Sequence, residues 1–81
     1  KKMLKILILQ SNPLIHLIGM MTELDEEPSI LIEGCYSITP EGELSQYPMH
    51  TDQRDLFLTS ENVFTIIDPS PEIAEKYRAI T

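Results

Sequence analysis

The chain has 81 residues, of which 42% are hydrophobic, and this is enough for one domain with a small core. The stability of so small a domain is marginal unless disulfides, a metal or oligomerisation add to it. Cys35 is the single cysteine and the two histidines are well separated, so neither an internal disulfide nor a Cys/His zinc site is expected. The net charge of −7 opposes non-specific binding to nucleic acid, and the apolar run from Leu4 to Leu9 is too short to span a membrane. The composition therefore predicts a soluble, cytoplasmic oligomer.

The first half of the chain predicts three strands: Met3 to Gln10, Leu14 to Thr22, and Ser29 to Ile38. The first strand is apolar on both of its alternating faces, which is typical of a strand buried on both sides. Gly19 and Gly34 lie inside the second and third strands, where a glycine indicates a bulge or a sharp bend.

The second half predicts shorter strands. Thr39-Pro40-Glu41-Gly42-Glu43 indicates a hairpin turn. Leu44 to Tyr47 begins a fourth strand, which Pro48 interrupts and which resumes from Leu56 to Thr59. A tight Ser60-Glu61 connection leads to the last strand, Asn62 to Ile67.

A helix ends the chain. Ser70 is a candidate N-cap and Pro71 suits the first helical position, while Ile73, Tyr77 and Ile80 recur at helical spacing. The sum is one mainly β domain over residues 1–81. It consists of five strongly bent antiparallel strands within residues 3–67, forming a small, partly open barrel, and a short C-terminal α-helix at about residues 70–80.

The last two strands predict the oligomer interface. The segment from Val63 to Ile67 carries no charge and no proline, so this strand is either central or pairs with another subunit. The predicted interface residues are Leu56, Phe57, Leu58, Val63, Phe64, Thr65 and Ile66.

This pattern resembles the Sm-like family of bent five-stranded barrels, in which strand two is kinked at a glycine and subunits pair edge to edge into rings. The segment from Leu56 to Ile66 resembles the second family motif, and Gly19 followed by Met20 to Asp25 resembles the first. The sequence is also similar to small proteins of marine cyanophages and ocean metagenomes. The resemblance implies a homo-oligomeric ring of about five to seven copies, a role in RNA metabolism, and a host-cell cytoplasmic location if a phage encodes the protein.

Sm-like proteins bind uridines through an Asn after strand two and an Arg-Gly pair between the last two strands. The equivalent positions here are Asp25 in the first loop and Ser60, Glu61 and Asn62 in the second. The first loop therefore contains carboxylates where the family has an amide, and the turn lacks Arg and Gly. An alternative interpretation is an acidic, phage-derived module that binds a basic protein partner and no nucleic acid.

Catalysis is not predicted, and no cofactor is expected. The carboxylates Glu23, Asp25, Glu26 and Glu27 suggest a metal-dependent hydrolase as a third hypothesis, but their spacing is more typical of a solvated charge run. His16 lies between apolar residues in a strand, and His50 near Asp52 has no further catalytic partners.

Cys35 has no neighbouring cation in the sequence and is interpreted as a packed core residue. Met3 is a candidate start of the natural chain, so Lys1 and Lys2 receive no functional weight.

Overall fold

The computed structural model describes residues 2–47 and 50–80. In chain order these contain β1 (Met3–Leu9), β2 (His16–Glu23), β3 (Ile30–Ile38), β4 (Leu44–Gln46), β5 (Leu56–Leu58), a 3-10 turn (Ser60–Asn62), β6 (Val63–Ile67) and α1 (Pro71–Ile80). The strands form one antiparallel sheet in the order β4-β3-β2-β1-β6, and β5 also pairs with β3. The predicted mainly β fold with a C-terminal helix is confirmed.

The predicted fourth strand consists of two separate strands. β4 pairs with residues 36–38 of β3 and β5 pairs with residues 30–32, so both lie along one edge of β3, at opposite ends. Between them the chain leaves the sheet, and Pro48, where an interruption was predicted, lies outside the described residues.

The gap between β4 and β5 is closed by hydrogen bonds to the middle of β3. The backbone N–H of Cys35 donates to the carbonyl of Arg54 at 2.8 Å. The N–H of Gly34 donates to the carboxylate of Asp55 at 3.1 Å. These bonds satisfy two amides at the bend of β3 that would otherwise lack a ladder partner, and such unpaired groups are costly when they are shielded from water.

The inner face of the sheet carries the larger apolar core. Leu7, Leu17, Ile32 and Cys35 are fully inaccessible to solvent, and Leu56, Leu58 and Val63 pack against this cluster. Each fully buried aliphatic side chain contributes about 1.5–3 kcal/mol to folding. The prediction that Cys35 is a core residue is confirmed.

The outer face of the sheet is covered by α1. Ile6 and Ile18 are buried there beneath Tyr77 of the helix, with Tyr36 and Ile73 at the margin. The rings of Tyr36 and Tyr77 pack edge to face, with their centroids 6.2 Å apart and an interplanar angle of 83°. Ile6 is buried on this face and the next residue, Leu7, is buried on the other. β1 is therefore apolar on both sides, as the sequence predicts.

The helix begins where the sequence indicates. The N–H of Ile73 donates to the hydroxyl of Ser70 at 3.3 Å, so Ser70 is the N-cap and Pro71 takes the first helical position. The inward side chains are Ala74 and Tyr77, with Ile73 half-buried. Ile80 is 49% exposed, so the predicted apolar stripe does not continue to the last turn.

Two glycines allow the sheet to bend. At Gly19 an added Cβ would lie 2.6 Å from the side chain of Ile32 and 2.8 Å from the carbonyl oxygen of Glu33, so β2 and β3 approach too closely there for any side chain. Gly34 has φ +63, a left-handed conformation that other residues adopt at a cost. The Tyr77 hydroxyl donates to the Gly34 carbonyl at 2.8 Å, so the helix is anchored at this bend.

The contact between Gly34 and Tyr77 can be measured with a double-mutant cycle. Gly34→Ala adds left-handed strain of about 1–2 kcal/mol and places a Cβ 2.6 Å from the Tyr77 hydroxyl oxygen. Tyr77→Phe loses one hydrogen bond, worth about 1 kcal/mol, but removes the clashing atom. We expect the double variant to lose less unfolding free energy in urea than the sum of the single variants, by about 1 kcal/mol or more.

Gly42→Ala is the matched control for strain alone. Gly42 has φ +85, and the atoms nearest to an added Cβ lie 3.9 Å away. This variant should therefore be destabilised less than Gly34→Ala. Additive losses in the cycle would show that the Tyr77 hydroxyl does not limit the space at Gly34.

Candidate functional site

The two strands of the predicted interface lie at opposite edges of the sheet. β5 pairs with β3 and β6 pairs with β1, and within the described residues neither has a strand on its other side. An edge strand presents a row of unpaired N–H and C=O groups, and charges or prolines commonly protect such an edge. Leu56–Leu58 and Val63–Ile67 contain neither, so these edges are open to another strand.

The seven predicted interface residues divide into two groups. Leu56, Leu58 and Val63 pack against the inner core of their own chain. The side chains of Phe57, Phe64 and Ile66 are 59%, 66% and 37% exposed, respectively, and Thr65 is half-buried. The exposed group is therefore the part of the prediction that can contact a second molecule.

The exposure of the two phenylalanines has a local cause in each strand. Phe57 is paired with Leu31, and it alternates with Leu56 and Leu58, which face the core, so it projects from the outer face. In the pairing of β6 with β1, Thr65 and Val63 lie opposite consecutive residues of β1. Phe64 between them has no partner and is the extra residue of a bulge. Neither ring is needed for the core of the chain that carries it.

The connection between β5 and β6 is held by a carboxylate of the acidic loop. Glu27 accepts hydrogen bonds from the backbone N–H of Ser60 at 3.1 Å, from the Ser60 hydroxyl, and from the N–H of Ser29 at 3.2 Å. The hydrogen bonds from Ser60 lower the pKa of Glu27 below its ordinary value. Glu27 is thus a structural residue rather than part of a solvated charge run, and its distance of 33 residues from Ser60 left no local signal in the sequence.

At two of the predicted RNA-contact positions, the side chain forms hydrogen bonds within the chain. Ser60 binds Glu27, and the Asn62 side-chain oxygen accepts a hydrogen bond from the N–H of Ser11 at 3.2 Å. The Asn62 carbonyl also accepts from the N–H of Gln10 at 2.6 Å. Asp25 and Glu61 are exposed carboxylates. The two loops do come together, and their accessible side chains include the carboxylates of Asp25 and Glu61.

The other candidate residues do not assemble into a catalytic group. His16 is half-buried in β2, paired with Ile8 and Ile38. His50 and Asp52 are exposed, and no hydrogen bond joins them in the described part of the chain. Burial raises the pKa of Cys35 to about 12 despite the charge of Arg54, so this thiol is a poor nucleophile at neutral pH.

Across residues 2–47 and 50–80, no three His, Cys, Asp or Glu side chains are grouped so that they could hold a metal ion. None of the helices in these segments has the length and apolarity needed to cross a membrane.

Fold and surface define a small antiparallel β-protein with a helix on one face and uncharged strands at both edges of the sheet. Residues 2–81 match a family described as "Family of unknown function (DUF6561)", and the chain belongs to that family. No curated protein matches the sequence.

The Glu27 contact predicts a pH dependence. Because the folded-state pKa of Glu27 is lowered, the unfolded chain binds the proton more readily near and below pH 4.5. The stabilisation is therefore complete well above that pH and is lost as the pH falls through the folded-state pKa. We expect Glu27→Gln to lower the melting temperature at about pH 7 and to flatten its decrease toward about pH 3.

Glu26→Gln is the matched control, because Glu26 is an exposed neighbour in the same loop with no hydrogen bond in the described chain. Its melting curve should follow the parent protein across the pH range. Equal effects of the two substitutions would contradict a specific role for Glu27.

Proposed function

We propose that the chain is an Sm-like subunit that assembles with copies of itself into a closed ring, with β5 of one copy paired to β6 of the next. The observation that carries the proposal is the pair of unprotected edges, each with an exposed phenylalanine. The kink at Gly19 and the short last strands joined by a 3-10 turn are further features that the family resemblance implies.

Pairing of two different edges is a heterologous contact, and repetition of such a contact closes into a ring when the rotation permits it. Each contact would extend the sheet from one copy to the next and cover Phe57 and Phe64, which the single chain leaves in water. Burial of an aromatic side chain contributes about 1.5–3 kcal/mol, a useful addition for a domain of 81 residues.

Charged substitutions at the two phenylalanines test this assembly. In Phe57→Glu the β5 edge is blocked and the β6 edge remains intact, whereas Phe64→Glu has the opposite defect. Burying an unpaired charge at the contact weakens association by about a hundredfold or more. We expect the parent protein to have a mass of about five to seven chains of 9.3 kDa in light scattering, and each variant alone to be a folded monomer.

The mixture of the two variants is the decisive sample. A heterologous contact leaves one intact interface between the β5 edge of Phe64→Glu and the β6 edge of Phe57→Glu. The other contact would bring two carboxylates together, so the mixture should form a heterodimer and stop there. Ile80→Glu is the control, since Ile80 is 49% exposed on the helix, and it should keep the parent mass. A monomeric parent protein, or a Phe57→Glu variant that still forms the full assembly, would overturn the proposal.

As an Sm-like subunit the protein would be a scaffold in RNA metabolism in the cytoplasm. Ser60 and Asn62 already form hydrogen bonds within the chain, which disfavours a uridine pocket formed by these side chains. The exposed carboxylates of Asp25 and Glu61 repel phosphate. These carboxylates favour the second candidate, in which the acidic loops bind a basic region of a partner protein.

Oligonucleotide binding separates the two candidates. We expect U-rich and A-rich RNA to give no saturable change in fluorescence polarisation at low salt, because the loops present carboxylates where phosphate would lie. Tight binding that weakens steeply with added salt would reject the protein-binding alternative and support the RNA role. The same samples, measured by light scattering, show whether the assembly is present in either case.

A further inference from the structure

A cleft of about 500 Å³ lies on the outer face of the sheet, beside the C-terminal half of α1. Its floor follows one row of paired residues across three strands, from Leu4 in β1 through Met20 in β2 to Glu33 in β3. Met3 extends this floor, and Tyr77 and Arg78 of the helix form the opposite wall. The volume lies within the range of small-molecule binding sites, which are mostly apolar with a few polar groups.

Two of the three charged side chains that line the cleft form an ion pair. The Lys2 ammonium lies 2.9 Å from the carboxylate of Glu33, and their side chains are 60% and 30% exposed. This ion pair offsets the only carboxylate among the lining residues. Lys2, which received no functional weight from its place in the sequence, therefore has a defined contact in the folded structure.

Arg78 differs from the other described cations. Lys2, Lys5 and Lys76 form ion pairs with carboxylates, and Arg54 donates to the backbone carbonyls of Tyr47 and Thr51. Arg78 lines the cleft and makes no hydrogen bond or ion pair within residues 2–47 and 50–80. With Lys2 and Glu33 offsetting each other, the residues that line this cleft have a formal charge of +1 on a chain whose total is −7.

We propose that this cleft binds a small organic anion, with its apolar part on Met3, Leu4 and Met20 and its oxyanion on the guanidinium of Arg78. A guanidinium can bind a carboxylate or phosphate through two parallel hydrogen bonds, which provides specificity as well as attraction. An organic cation would instead meet Arg78 and Lys2. The site lies on the helix-covered face and does not depend on the proposed ring.

Hexanoate is a suitable probe, with hexanol and hexylammonium as neutral and cationic analogues of the same chain length. In a titration followed by amide NMR shifts, we expect hexanoate to bind saturably and to shift the amides of Met20, Glu33 and Arg78. Hexanol should bind about tenfold more weakly, because it lacks the negative charge that strengthens a hydrogen bond from the Arg78 guanidinium. Hexylammonium should bind more weakly than hexanol.

Arg78→Gln should reduce hexanoate affinity about tenfold, to the level of hexanol, and leave hexanol binding unchanged. Lys76→Gln is the control, because Lys76 lies on the same helix but contacts Gly42 and Glu43 away from the cleft. It should change neither affinity. The proposal is overturned if hexanoate does not saturate, if hexanol binds equally well, or if Arg78→Gln and Lys76→Gln have the same effect.

Discussion

The left-handed backbone at Gly34 is the constraint on which most of the structure depends. Because β3 bends there, its two halves face different neighbours, and one edge of β3 pairs with β5 at one end and β4 at the other. The bend interrupts the ladder, so the residues between β4 and β5 supply a carbonyl and a carboxylate to the amides of Gly34 and Cys35. The missing side chain also leaves room for the Tyr77 hydroxyl, which fixes the position of the helix.

Both surfaces proposed as functional follow from this geometry. The helix covers the row of Ile6 and Ile18 but stops short of covering the row of Leu4 and Met20, and the uncovered part of the outer face is the cleft. The long strands in the centre of the sheet leave short, uncharged strands at its edges. Glu27 then ties the acidic loop to the connection between those edge strands, so the position of the connection is fixed within the single chain.

Local patterns in the sequence were sufficient for the elements themselves. The apolar run of β1, the turn residues around Gly42 and the Ser70-Pro71 start of α1 all involve neighbouring residues. Each element lies within a residue or two of its predicted position. The pattern did not show that the chain returns to the same strand, because pairing of β5 with β3 depends on contacts about 26 residues apart.

The candidate sites also combine features that short segments show with features that depend on residues far apart in the chain. The absence of charge in Val63–Ile67 and the exposure of an aromatic in β5 follow from composition and alternation, which are properties of short segments. Other features involve residues far apart in the chain. These are the hydrogen bonds of Glu27 to Ser60, the hydrogen bond of Asn62 to the first turn, and the cleft lined by Lys2, Glu33 and Arg78. Local residue patterns thus specify which segments form strands, turns and helix and which edges lack protection. The polar side chains that are used internally, and those that remain for a partner, are set by the folded chain, because hydrogen bonds and ion pairs depend on distances that folding alone creates.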